Sequence, residues 1–75
     1  MSKIKDPRKL TDSELFAHIA YLFDLIQSDY VGMYQLWINS RPKEEYDLKR
    51  EQIEKNVENL NEALEVEHFR TESMR

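Results

Sequence analysis

Glu65 and His68 form an E-x-x-H in a chain with two histidines, and the other, His18, follows Glu14 at a spacing of four. On a helix, residues three or four apart share a face. In ferritin-like bundles, such carboxylate–imidazole pairs, joined by further glutamates, hold di-metal centres. If the chain folds back on itself, Glu14 and His18 fall near Glu65 and His68, so a metal-binding bundle is one reading. The E-x-x-H occurs only once, however, and there is no cysteine to supply a thiolate. No metal ligand set is assigned, and no cofactor or small-molecule substrate is expected. No nucleophile–base pair with supporting spacing, glycine-rich phosphate loop or zinc pattern is present, so no catalytic residue is named and a non-enzymatic role is expected.

Two other patterns suit binding better. Glu51, Glu54, Glu58, Glu62 and Glu65 step by 3, 4, 4 and 3, which draws an acidic stripe down one side of a helix. Such a stripe could dock a basic protein surface, or it could simply be a solvated face. The second pattern is apolar. Leu15, Ile19, Leu22, Ile26, Tyr30, Met33 and Trp37 step by 4, 3, 4, 4, 3 and 4. These are two eleven-residue units, with a period of about 3.67, close to that of an unstrained helix. Phe16, Ala20, Phe23, Tyr34 and Ile38 form a further stripe roughly 100° round the same helix. Together with Tyr30 and Trp37 they are the candidate dimer or partner interface, because aromatic residues are enriched at such contacts.

The elements that position these residues carry clear local signals. Thr11 and Glu14 form a capping box, and Leu10 and Leu15 are placed for a hydrophobic staple, so a helix starts at Asp12. Asp6 and Pro7 could cap a single preceding turn. The apolar phase runs through Gly32, the only glycine, which predicts one continuous helix to about residue 39. Pro42 restarts the chain, and acidic Glu44 and Glu45 suit the first turn of a second helix over about 42–69. Its stripe reads Tyr46, Ile53, Val57, Leu60 and Leu64, with Arg50 and Glu67 at polar in-phase positions. The short link makes the helices antiparallel neighbours, with Leu22 facing the region of Leu60, Ile19 that of Leu64, and Trp37 near Tyr46. The expected fold is therefore all-α: a hairpin domain over 11–70, between a basic flexible arm at 1–10 and a frayed tail at 71–75.

Size sharpens the functional expectation. A chain of 75 residues without cysteine sits near the lower limit of independent stability and has no disulfide to help. Between residues 10 and 40, Asp12, Glu14, Asp24 and Asp29 are the only charged side chains. One hairpin cannot cover that much apolar surface, which predicts a homodimer forming a four-helix bundle. The net charge of −4 disfavours a nucleic-acid backbone as partner. A nucleic-acid-associated regulator would have to use residues 3 to 9 together with Arg41, Lys43, Lys49 and Arg50, which lie at opposite ends of a hairpin. No apolar run reaches the ~18 residues of a membrane span, no signal peptide is evident, and the lack of cysteine fits a reducing cytoplasm. The expectation is a small self-associating protein that binds another protein, an accessory or regulatory role of the kind found in bacteria and their phages.

Overall fold

The computed structural model describes residues 6–74. Over these the chain forms two antiparallel helices, α1 (Asp12–Ile38) and α2 (Lys43–Ser73), after a single 3-10 turn at Pro7–Lys9. The described residues span 50 × 26 × 15 Å, and no strand occurs among them. The all-α hairpin is thus the fold that forms.

Local chemistry sets the boundaries. Thr11 Oγ1 accepts from the Glu14 backbone N–H at 3.2 Å, and the Glu14 carboxylate accepts from the Thr11 N–H at 2.9 Å. This reciprocal capping box satisfies two donors that a helix start leaves orphaned. At the other end of α1, the Arg41 N–H donates to the Leu36 carbonyl at 3.0 Å and the Ser40 N–H to that of Trp37 at 3.1 Å. This is a Schellman stop. Ser40 holds the left-handed position, with φ 53°, where glycine is the usual occupant. Helix α2 begins one residue later than expected: Pro42 keeps an extended ψ of 146° and stands outside as N-cap.

The N-terminal segment is tied to α2. Asp6 caps the 3-10 turn by accepting from the Arg8 N–H at 3.0 Å, and Pro7 and Leu10 are buried. Arg70 pairs with Asp12 at 2.9 Å and donates to the backbone carbonyls of Leu10 at 2.6 Å and Arg8 at 3.3 Å. Residues 1–5 of the expected basic arm lie outside the described residues. With Arg70 anchored, α2 runs on to Ser73, past the expected end at 69. The Thr71 and Ser73 hydroxyls bond back to the carbonyls of Glu67 and Phe69 within this last stretch.

The buried seam keeps the expected phase of α1 as far as Ile26 and departs from it at positions 29 and 36; on α2 it departs at 49, 56 and 63. On α1 the inward positions are Leu15, Ile19, Leu22, Ile26, Asp29, Met33 and Leu36, all buried or half-buried. They step by 4 and 3 in strict alternation, a heptad. On α2 the same rule gives Tyr46, Lys49, Ile53, Asn56, Leu60, Ala63, Glu67 and Arg70. Two helices that stay in contact over many turns keep a 3.5-residue seam, and a 3.67 period would rotate away from it. Tyr30 and Trp37 are accordingly outside, with 51% and 69% of their surface exposed. Ala63 rather than Leu64 enters the core opposite Ile19; Leu64 is displaced to the edge.

Candidate interaction surface

The heptad phase dictates what is left uncovered. Phe16, Phe23, Tyr30 and Trp37 each follow a seam residue by one position, at intervals of seven. A step of one residue turns about 100° around a helix. These four rings therefore form a straight column on the flank of the hairpin, with Ala20, Gln27 and Tyr34 set between them. All five aromatic rings, Tyr34 included, are more than half exposed. Ile38 is also exposed and lies further round with Val31.

In an antiparallel pair, residues that follow equivalent seam positions share a side. On α2 these are Arg50, Val57 and Leu64. The turn end shows the arrangement directly: Tyr30, Met33, Tyr34 and Trp37 line one groove with Tyr46. The Arg50 guanidinium lies 5.5 Å from the centre of the Tyr46 ring, a cation–π contact that borders the aromatic column. The opposite flank differs. There Leu25 and Val66 pack against the core, and the N-terminal segment bears on α2, with Arg8, Val66, Phe69 and Arg70 lining a pocket between them.

Inside the seam, the turn half sets the polar residues Asp29, Lys49 and Asn56 among Met33, Leu36, Tyr46 and Ile53. Asn56 Nδ2 donates to Asp29 Oδ2 at 2.9 Å, and Lys49 Nζ stands 3.9 Å from Asp29 Oδ1. The side chains of Asp29 and Lys49 are 17% and 30% exposed. A carboxylate this sheltered needs both partners to offset its lost hydration. The apolar periodicity does not place these three residues inward. The signal that could have found them is the seven-residue series Leu15, Leu22, Asp29, Leu36.

The acidic residues Glu51, Glu54, Glu58, Glu62 and Glu65 are all exposed on α2. Glu62 and Glu65 also border the pocket beside the N-terminal segment. Glu14, His18, Glu65 and His68 do not converge. Among the described residues no group of three or more His, Asp or Glu is placed to hold a metal ion. His68 lies 3.9 Å from Glu72, and Glu14 is engaged in the capping box. His18 Nε2 is buried without a hydrogen-bond partner. Several basic residues of the turn region already face acids: Arg41 with Glu45 and Lys43 with Asp47, both at 3.0 Å, besides Lys49 with Asp29.

No helix among the described residues is long and apolar enough to cross a membrane. Comparisons with protein-family models, with curated proteins and with solved structures find no match to this chain.

Proposed function

We propose that this chain is a non-enzymatic protein-interaction module that self-associates, two hairpins making a four-helix bundle. The observation that carries this reading is the column of exposed rings on one flank of α1. A contiguous apolar surface of this kind on a small soluble domain marks an interface, and aromatic anchors contribute most of the binding energy at such surfaces. With that flank covered, the outward acidic stripe of α2 is left to dock a basic surface on another protein, in a regulatory or accessory role. The pairing of Arg41, Lys43 and Lys49 with acids favours a protein partner over a nucleic acid, because those cations are not free to meet phosphates.

Light scattering at micromolar concentration, beside a helical circular-dichroism spectrum, tests the reading. The expected particle has twice the 9.1 kDa chain mass, and Phe23→Glu with Tyr30→Glu returns it to one chain mass with the helical signal kept. A wild-type particle of one chain mass with a full helical spectrum overturns the reading.

A further inference from the structure

The column on α1 is close to self-complementary when read backwards, and this specifies how a second copy would sit on it. Its order is Phe16, Ala20, Phe23, Gln27, Tyr30, Tyr34, Trp37. Laid antiparallel on itself about its midpoint, it sets Phe23 against the partner subunit's Tyr30 and Phe16 against the partner subunit's Trp37. The small Ala20 meets the large Tyr34 of the partner subunit. Gln27, the only amide in the column, meets Gln27 of the partner subunit. Ring meets ring at the Phe23–Tyr30 and Phe16–Trp37 positions, and the one fully polar side chain finds an identical donor–acceptor group.

We propose that the occupant of this column is a second copy of the chain, its α1 antiparallel to the first across a twofold axis at Gln27; this rests on the self-associating reading above. Charge distribution selects the antiparallel orientation. Between Phe16 and Trp37 the column carries no charge. The helix carries Asp12 in its first turn and Asp24 near its middle. The antiparallel register keeps each of these carboxylates away from its copy in the partner subunit. A parallel register would set Asp12 against Asp12 and Asp24 against Asp24. Helix dipoles also align favourably when the helices run in opposite directions.

The area is sufficient. A buried aromatic side chain withdraws about 150–250 Å² from water. At the exposures of Phe16, Phe23, Tyr30, Tyr34 and Trp37, covering the column removes on the order of 600 Å² per copy, or about 1,200 Å² for the pair. Specific interfaces begin at about that size, before Ala20, Gln27 and the flanking Val31 and Ile38 are included. Isologous contact is also the commonest way for identical chains to meet.

The chain has no cysteine, so single engineered thiols report the register cleanly. Three proteins, Gln27→Cys, Ala20→Cys and Tyr34→Cys, are oxidised with diamide and sized on non-reducing gels, with light scattering run on each before oxidation. The expected result is a disulfide-linked pair for Gln27→Cys alone. Ala20→Cys and Tyr34→Cys stay single when oxidised separately and cross-link when mixed. A particle of twice the chain mass in which Gln27→Cys stays single, or Ala20→Cys links to itself, overturns the register while leaving self-association standing. A particle of one chain mass for wild type and all three variants overturns both.

Discussion

The two halves of the hairpin seam are built from different chemistry, although one heptad phase runs through both. Toward the chain ends, Leu15, Ile19, Leu22, Leu60 and Ala63 are buried together with Leu10, and Leu25, Ile26 and Val66 pack against them. Toward the turn, Asp29, Asn56 and Lys49 share the inward positions with the half-buried Met33, Leu36 and Tyr46, and Ile53 is the only buried residue of that half. The first half excludes water and supplies most of the hydrophobic stabilisation. The second satisfies hydrogen bonds and ion pairs whose net contribution is small, because what they gain in contact they largely lose in hydration. The comparison teaches where each property of the fold resides: stability at the open end, and register at the turn end, where one carboxylate accepts only a particular alignment of α2.

The largest expected effect breaks the apolar half. Leu22 has 0% of its surface exposed, and truncation to alanine leaves a cavity costing about 3–5 kcal/mol. For a domain of this size that is a large share of a total stability of roughly 5 kcal/mol. Ile53→Ala, at the apolar position of the polar half, is expected to cost about 2 kcal/mol, the low end for such truncations. Urea denaturation at one fixed protein concentration compares them. Equal losses would mean that the seam is energetically uniform and the division drawn above is wrong.

A subtler experiment addresses the polar half. Asp29→Leu strands the Asn56 amide and the Lys49 ammonium, and Asn56→Leu leaves the Asp29 carboxylate with only a cation at 3.9 Å. Each single change is expected to cost about 1–3 kcal/mol, the desolvation of an unsatisfied group. The double change Asp29→Leu with Asn56→Leu puts apolar side chains at both positions and leaves only Lys49, with 30% of its side chain exposed, without its acid, so it is expected to cost less than the two single changes added together. The same denaturation assay closes the cycle. Additive losses in the double variant would show that Asp29 and Asn56 do not act as a unit.

This polar half also explains which parts of the fold could be read in the sequence and which could not. The helix start was legible because Thr11 and Glu14 act within one turn and need nothing from the rest of the chain. The stop near residue 40 and the antiparallel turn were legible from Pro42 and the brevity of the link. The phase of α1 was legible from Leu15 to Ile26 and was lost at positions 29 and 36. With a carboxylate at the inward position 29, a search for apolar periodicity steps to Tyr30 and then to Trp37, which belong to the exposed column. On α2, Lys49 and Asn56 shift the reading to Arg50 and Val57 in the same way, and the small Ala63 gives place to the larger Leu64. Phase errors of this kind arise where tertiary hydrogen bonds, invisible in one strand of sequence, make a polar side chain acceptable inside. The candidate surface was legible residue by residue, since Phe16, Ala20, Phe23, Tyr34 and Ile38 stand out as excess apolar side chains. Its division into a straight column with Gln27 at the centre required the true phase.

The smallest expected effect falls at Gly32, beside the polar half and on the flank away from the aromatic column. The residue is helical with no positive φ, so its backbone does not require glycine. A Cβ built there would lie 3.4 Å from Lys49 Cε, a contact with the far end of a flexible side chain that can move by a few tenths of an ångström. Gly32→Ala is therefore expected to be neutral or to stabilise the hairpin by up to about 1 kcal/mol, through the lower entropy of the unfolded chain and the better helix propensity of alanine. The self-association constant should not change. Destabilisation in the denaturation assay would mean that Lys49 cannot yield without losing its approach to Asp29, and the polar half would then be as tightly specified as the apolar one. Unchanged stability with weakened association would place Gly32, rather than Gln27, at the contact between copies.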